Sequence, residues 1–255
     1  MASFTCFTAV RNDPILREFK LLRTKHLPHD FYVPLGSHVS LFAGCGFGYD
    51  PKANVYKHVI IFGSDDFRFP VALVCTMGTR DSVRLIKISV ECNSCCPDSK
   101  GVYLKGAYYW WNGTSLVDSI LCFDMSEEKF HGIPLPDELI RKSKRLEVWN
   151  ESLILFLALK CSCSSSTFEM WVMVDDSAGV KGSTYWRKHL TTGPLFCIYF
   201  PLAFWKDDEL LLETRDGRIV SYNLYTQKLR NVPLPGALYP GLTSASLCLK
   251  SLVSV

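Results

Sequence analysis

Two segments of the chain, offset by 99 residues, are copies of one another. ILCFDMSEEKFHGIPLP at residues 120–136 aligns without a gap with IVSYNLYTQKLRNVPLP at residues 219–235. Of the 17 aligned pairs, five are identical and eight are like-for-like replacements, among them Phe123 with Tyr222. This repeat constrains the fold more than any single residue does, because each copy must form the same structural unit.

Each copy predicts a strand, a tight turn, a second strand and a stop. Alternating apolar residues lead into an aromatic and then into Asp124 or Asn223, whose side chains can accept hydrogen bonds from the backbone of a turn. The closing Pro-Leu-Pro cannot extend a central ladder, because proline has no amide hydrogen. We therefore expect Phe123 and Tyr222 at equivalent positions of two different sheets.

Weaker copies lie where this offset places them, at residues 170–174 with 185–190, at 72–77 with 83–88, and at 13–22. At the position of Asp124 the anchors fall near residues 13, 76, 124, 173 and 223, and the last three steps are 48, 49 and 50. A period near 50 is typical of kelch-type propeller blades rather than helical solenoids. The predicted fold is all-β, with repeated antiparallel sheets in a complete or partial kelch-like β-propeller. The alternative is that unrelated hairpins ending in proline resemble each other.

Composition agrees with a single folded domain over residues 1–255. Hydrophobic residues make up 48% of the chain and aromatic residues 13%, enough for a sizeable core. The net charge of +3 gives no reason to expect a nucleic-acid or membrane partner. No apolar run approaches the roughly 20 residues of a membrane span. The N-terminal sequence does not read as a secretory leader, so we expect a cytoplasmic or nuclear location.

The eleven cysteines predict reduced thiols rather than a disulfide network, because their number is odd and no leader is recognised. Cys75 and Cys122 fall on inferred strands and are expected to pack as small apolar residues. Zinc binding is the alternative, but a Cys-x-Cys pair suits tetrahedral closure poorly. The candidate ligands are Cys92, Cys95, Cys96, Cys161 and Cys163. We expect no zinc and no other cofactor.

No pattern of residues indicates catalysis, and the sequence predicts no catalytic residue. The glycine-rich residues 44–48 lead into Tyr49-Asp50-Pro51 rather than a helix, so they predict a bulged strand or a close backbone approach instead of a phosphate site. The acidic pairs at 65–66, 175–176 and 207–208 are expected at turns, and the six tryptophans in the core.

Turn and loop signals punctuate the chain. Asn112-Gly113 and Asp216-Gly217 each predict a two-residue hairpin turn. Residues 137–145 predict either a short helix capped by Asp137 or a basic connecting loop. The inter-repeat loops are long and polar, and we expect them to lie at one end of the sheets and to bind a protein partner. They comprise residues 137–145, 161–167 and 175–184.

Several stretches, together covering roughly residues 12 to 235, resemble the F-box-associated domain of plant F-box proteins. The most specific is GFGYDPKANVYK at 46–57, which is similar to the family's Gly-Phe-Gly-Tyr-Asp-x-x-x-x-x-Tyr-Lys element. DPILREFKLL at 13–22 resembles its Asn-Pro opening, with Asp13 for asparagine and Arg23 where proline is usual. GVYLKGAYYWW at 101–111 resembles its Gly-Ala-x-x-Trp strand, whereas Val83 stands at a tryptophan position.

The resemblance implies a non-enzymatic substrate-recognition domain of an SCF-type ubiquitin ligase. In that family the F-box binds a Skp-type adaptor on a cullin, and the associated domain recruits a protein substrate. ILCFDMS at 120–126 is similar to S-locus F-box proteins of pollen self-incompatibility, whose substrates are ribonucleases, although F-box proteins of other pathways share the phrase.

One departure from the family pattern concerns the beginning of the chain. No helical F-box pattern precedes the Asn-Pro-like element, so the chain is expected to be truncated at its N-terminus and not to bind the adaptor by itself. The alternatives are a non-functional truncated paralogue and, less favoured, an enzyme on a propeller scaffold. The sequence identifies neither the substrate nor the loop that contacts it.

Overall fold

The computed structural model describes residues 7–13, 18–23, 41–63, 71–77, 82–90, 101–113, 118–140, 143–161, 165–175, 184–206 and 208–233. Within these ranges the chain is almost entirely β-strand. The strands form four four-stranded antiparallel sheets and one two-stranded sheet. The four larger sheets are arranged as the blades of a β-propeller, and this confirms the predicted all-β fold with repeated sheets.

Each blade is a meander in which consecutive strands pair. The two-stranded sheet contains β1 (Phe7–Asp13) and β2 (Glu18–Arg23). Blade 1 contains β3 (Leu41–Asp50), β4 (Val55–Gly63), β5 (Val71–Met77) and β6 (Ser82–Lys87). Blade 2 contains β7 (Val102–Leu104), β8 (Ala107–Gly113), β9 (Asp118–Asp124) and β10 (Lys129–Pro134).

The other two blades follow the same plan. Blade 3 contains β11 (Ser143–Trp149), β12 (Ser152–Cys161), β13 (Ser165–Asp175) and β14 (Thr184–Phe196). Blade 4 contains β15 (Ile198–Lys206), β16 (Glu209–Thr214), β17 (Ile219–Asn223) and β18 (Leu229–Asn231). The third strands end at Met77, Asp124, Asp175 and Asn223, so the repeat of about 50 residues corresponds to one blade.

The two sequence copies occupy equivalent places in blades 2 and 4. Phe123 lies in the third strand of blade 2 and Tyr222 in the third strand of blade 4, and both side chains are buried. Phe130 of the fourth strand pairs with Phe123 as Leu229 pairs with Tyr222. The expectation that this aromatic pair is equivalent is therefore confirmed.

Hydrophobic cores lie between neighbouring blades, so both faces of a blade are covered. In β9, for example, Leu121 and Phe123 pack toward blade 1 with Val59 and Val74, whereas Ile120 packs toward blade 3 with Leu155. A further core joins blades 3 and 4. Two covered faces explain why the third strands have apolar runs instead of a simple alternation of apolar and polar residues.

Antiparallel order places the connections at two opposite ends of every blade. We call the end that carries the first-to-second and third-to-fourth strand connections the turn end, which includes residues 51–54, 105–106, 125–128, 150–151, 208 and 224–228. The end that carries the second-to-third connections and the links between blades is the linker end, with residues 135–140 and 215–218 among those described.

The three long loops do not gather at one end, in contrast to the sequence prediction. The strands β10 and β12, which precede the first two loops, end at the linker end, whereas β13 ends and β14 begins at the turn end. Residues 141–142, 162–164 and 176–183 of these loops lie outside the described residues. The physical reason is the strand order. The single strand β13 runs from the second loop to the third, so these two loops must lie at opposite ends of blade 3. Only residues 137–145 link two blades.

The predicted helix at 137–145 is reduced to one 3₁₀ turn, Asp137–Leu139, which has Pro136 at its N-cap position and no side-chain cap. The basic run that follows it is not a solvated loop, because Lys144 and Arg145 belong to β11. Arg145 donates a hydrogen bond to the carbonyl of Pro201 at 3.0 Å across the blade boundary.

None of the described segments is a helix of the length and apolarity that crossing a membrane requires.

The two predicted hairpin turns differ from their expected length or position. Asp216-Gly217 lies between β16 and β17, but the loop has three residues, because the Thr214 amide donates to the Arg218 carbonyl at 2.8 Å. Gly217 has a φ of +83°, as three-residue hairpin loops require at their last position. Asn112 and Gly113 pair with Ser119 and Asp118 of β9, so they belong to the strand and not to the turn. Residues 114–117 lie outside the described residues.

Candidate functional site

The glycine-rich strand β3 carries aromatic side chains of blade 2 against its backbone. A Cβ atom at Gly46 would lie 2.5 Å from Cζ2 of Trp110, closer than real Cβ atoms come to another atom. The indole Nε1 of Trp110 donates to the carbonyl of Cys45 at 2.9 Å. The predicted close backbone approach is confirmed, and it serves to dock blade 1 onto blade 2.

A buried ion network continues this junction at the turn end. Lys57 is 5% exposed, and its Nζ lies 2.8 Å from Oδ2 of Asp50 in the same blade and 2.8 Å from Oε1 of Glu128 in blade 2. Burial alone would raise the pKa of Asp50, but hydrogen bonds from Lys57, Ser126 and the Ala53 amide outweigh it and lower that pKa to about 2. The network therefore consists of charged groups held in place between two blades.

The segment at 46–57 thus has a structural role. Its glycines admit the aromatic rings of blade 2, and its aspartate and lysine form the ion network across the same boundary. Asp50 also accepts hydrogen bonds from the amides of Lys52 and Ala53, which shapes the turn into β4. These side chains therefore join blade 1 to blade 2.

The cysteine predictions can be compared with the structure at two positions. Cys75 and Cys122 are buried, which confirms that they pack as small apolar residues. Burial raises the pKa of the Cys122 thiol to about 11, so it stays protonated near neutral pH. The candidate zinc ligands lie outside the residues whose side chains are described. Within the described residues, no group of three His, Cys, Asp or Glu side chains could hold a metal ion.

The acidic pairs expected at turns can be placed in two of the three cases. Asp208 lies in the turn between β15 and β16, where its Oδ2 accepts a hydrogen bond from Asn223 at 2.8 Å. Asp175 is the last residue of β13, which places it at the start of the connection to β14. The pair at 65–66 lies outside the described residues.

An open cleft of about 410 Å³ lies at the turn end, where the first strands of blades 2, 3 and 4 finish side by side. Most of its lining is apolar or aromatic. The lining residues are Tyr103, Leu104 and Lys105 of blade 2, Val148, Trp149, Asn150 and Glu151 of blade 3, and Phe204, Trp205 and Lys206 of blade 4. We call this site the turn-end cleft.

Two of the six tryptophans contribute to this cleft, which the sequence prediction missed. Trp110, Trp171 and Trp186 are buried as expected. Trp205, in contrast, is 44% exposed, and Trp149 is partly exposed beside it. The position of Trp205 in the sequence could have indicated this, because Trp205 immediately precedes the Lys-Asp-Asp segment at the end of its strand. A strand end at the rim of a propeller is open on one side, so an aromatic residue there can remain accessible.

The side chains that line the cleft are suited to binding a ligand rather than to acid–base catalysis. Its charged lining residues are Lys105, Glu151 and Lys206, and the first two form an exposed salt bridge of 3.1 Å. Aromatic surface with a few polar groups at the rim is the usual composition of a site that binds a side chain or a small molecule. No pair of carboxylates lines the cleft, so its described residues do not form an acid–base pair.

Two comparisons with known proteins bear on this fold. A search of curated proteins found no significant match. A family model described as the F-box associated beta propeller domain matches residues 10–195, which include β2 and blades 1 to 3 almost completely. Blade 4 follows the matched region and repeats the same meander. Since the match covers well over half of the chain, this protein belongs to the F-box associated β-propeller domain family.

Proposed function

We propose that this chain is the substrate-recognition domain of an SCF-type ubiquitin ligase, and that it binds a protein without performing chemistry itself. The observation that carries the proposal is its membership of the F-box associated β-propeller family. The turn-end cleft supports it, because accessible tryptophan side chains are typical of protein–protein interfaces. The expected site of action is the cytoplasm or the nucleus.

In this proposal the link to the ligase is supplied by an F-box, which binds a Skp-type adaptor and through it a cullin. The blades contribute the substrate-binding surface, and they are not expected to bind the adaptor. Direct recovery of a Skp-type adaptor by the purified chain would contradict this division of roles.

A finer proposal is that the protein acts as an S-locus type receptor in pollen self-incompatibility, with a ribonuclease as substrate. The phrase that suggested it, at residues 120–126, consists largely of core residues, because Leu121, Phe123 and Met125 are buried between blades 1 and 2. Core residues build the framework and do not select a partner. The phrase therefore supports the fold, and direct binding to such a ribonuclease is the measurement that would support the finer proposal.

The proposal can be tested by following the half-life of the bound protein. The chain would be expressed in plant cells alone and fused to an F-box, and proteins recovered with both forms would be identified. We expect the chain alone to lengthen the half-life of its partner, because it covers the substrate without an adaptor. The fusion should shorten that half-life in a proteasome-dependent manner, and an F-box without the propeller serves as the control.

Three outcomes would contradict the proposal. A partner whose half-life changes with neither form would exclude a role in ubiquitin-dependent turnover. Failure of the purified chain to fold or to capture any protein would favour a non-functional paralogue. Substrate turnover by the purified chain that is lost when a loop carboxylate is changed would favour an enzyme on a propeller scaffold.

A further inference from the structure

The exposed indole of Trp205 is held in one orientation by a buried carboxylate. Its Nε1 donates to Oε2 of Glu209 at 2.9 Å, and Ser221 donates to the same oxygen at 2.8 Å. Arg230 donates to the other carboxylate oxygen at 2.6 Å. The hydrogen bonds from Ser221 and Trp205 lower the pKa of Glu209, so the carboxylate is charged at neutral pH.

The second indole of the cleft is also fixed by its neighbours. The ring of Trp149 lies 4.7 Å from that of His189 and 5.6 Å from that of Phe204, measured between centroids. Phe204 is itself buried and stacks on Phe156. The cleft therefore presents two aromatic rings whose rotamers are set before any partner arrives, which reduces the entropy lost on binding.

The side chains that line the cleft carry a small positive excess, because Lys105 and Lys206 outnumber the single carboxylate Glu151. Lys206 places its Nζ 4.8 Å from the centroid of the Trp205 ring. Its charge also helps to lower the pKa of Glu209, but the salt-bridge partner of that carboxylate is Arg230, at 2.6 Å. Lys105 lies on the opposite side of the cleft, and its partner Glu151 is 82% exposed, so a ligand carboxylate can compete for Lys105 at little cost. The rim thus favours an acidic ligand over a basic one.

We propose that the turn-end cleft binds a short acidic segment of the partner protein, with one aromatic or large aliphatic side chain inserted between Trp149 and Trp205. Carboxylates that flank this side chain then lie near Lys105 and Lys206. This inference rests on the proposed function and specifies the chemical class of the recognised segment. Buried tryptophan side chains are often the energetic centre of protein–protein interfaces.

The test uses fluorescence anisotropy with the full chain and short labelled peptides. One peptide has tryptophan flanked by Asp and Glu, a second has the same tryptophan flanked by Lys, and a third has Ser in place of the tryptophan. We expect the acidic tryptophan peptide to bind at least about tenfold more tightly than the other two. Equal binding of all three would overturn the inference.

Matched variants show where the peptide binds. Trp205→Ala and Lys206→Glu should each weaken binding of the acidic peptide by about tenfold or more. Tyr199→Ala is the control for the aromatic change, because Tyr199 is 43% exposed and lies at the opposite end of the same strand, β15. Lys87→Glu is the control for the charge reversal, since Lys87 is exposed at the linker end of blade 1.

Each result decides the inference. Loss of binding in the two cleft variants, with both controls unchanged and circular dichroism as in the wild type, supports it. If Trp205→Ala disturbs the fold, the exposed Lys206→Glu variant decides. Unchanged binding in the folded cleft variants overturns it, as does equal loss in Tyr199→Ala. Binding of neutral oligosaccharides that depends on Trp205 would also overturn it, in favour of a carbohydrate site.

The same variants separate this inference from the proposed function. If Trp205→Ala and Lys206→Glu still capture the partner found by the half-life experiment, the cleft assignment is overturned while the function stands. If the wild-type chain captures no partner yet binds the acidic peptide through the cleft, the proposed function fails and the binding site stands.

Discussion

Asp124 and Asn223, which lie two blades apart, form equivalent turns through the same side-chain atom, Oδ1. Oδ1 of each residue accepts hydrogen bonds from the amides two and three residues further along the chain, at 2.7 to 3.1 Å. The turns close at Glu128 and Gln227, whose φ angles are +53° and +55°. This shared geometry explains why Asp and Asn replace one another at the corresponding position of the two sequence copies.

Removing the side-chain acceptor should weaken this turn. We expect Asp124→Ala to lower the free energy of unfolding by about 1 kcal/mol, because two turn amides lose their acceptor, whereas Asp124→Asn should cost less than about 0.5 kcal/mol. Urea denaturation of the three proteins measures both values. Equal losses in the alanine and asparagine variants would show that the oxygen does not stabilise the turn.

Much of the fold could be predicted from the repeat. The parts that could not be predicted have a physical explanation. The offset between Phe123 and Tyr222 predicted the blades, because covered faces on both sides of each sheet force the same apolar pattern to recur. The ends of the blades were harder to predict. The assignment of loop 175–184 depended on the exact number of strands between loops, which short apolar runs define poorly.

The candidate site was harder to predict than the fold. The cleft combines residues from β7, β11 and β15, which are about 50 residues apart in sequence and meet only because blades stand side by side. Trp205 was assigned to the core with the other tryptophans because all six lie on or beside inferred strands, and that position alone does not distinguish a covered strand end from an open one. The motif with the most specific family resemblance, at 46–57, proved to be a blade-joining element.

Adding a methyl group to the glycine-rich strand β3 tests whether the rings of blade 2 need the space that its glycines leave. Gly46→Ala should lower the free energy of unfolding by about 1–3 kcal/mol, because the added Cβ overlaps the rings of Trp110 and Tyr108. Gly44→Ala in the same strand is the control, since its Cβ would meet Trp110 at an ordinary 3.5 Å. Similar stability losses in the two variants, measured by thermal and chemical denaturation, would refute the docking role of Gly46.

The buried ion network between blades should contribute far more to the stability of the fold than exposed ion pairs do. Lys57→Met should destabilise the chain by about 3–5 kcal/mol, because it leaves Asp50 and Glu128 without their buried partner. Lys52→Met is the control: the Lys52–Glu127 pair is exposed, and its loss should cost less than about 1 kcal/mol. A cost for Lys57→Met as small as that of the control would contradict the proposed role of the network.

The low pKa of Asp50 predicts a loss of stability in acid. The pKa is about 2 in the folded chain, below the ordinary value of 3.8, so the stabilising contribution is present above about pH 4 and is lost as pH falls toward 2. The loss attributable to this group is about 2 kcal/mol. Urea denaturation at several pH values should show a flatter decline for Asp50→Asn than for the wild type. Parallel curves would contradict the assignment.

Site-specific photocrosslinking can show whether a protein partner binds at the turn end. A photoreactive phenylalanine analogue would replace Glu151 at the rim of the turn-end cleft, or Phe196, which is 66% exposed at the linker end. We expect the partner identified by the half-life experiment to form an adduct at position 151, suppressed by the acidic tryptophan peptide, and none at position 196. An adduct at 196 but not at 151 would contradict it.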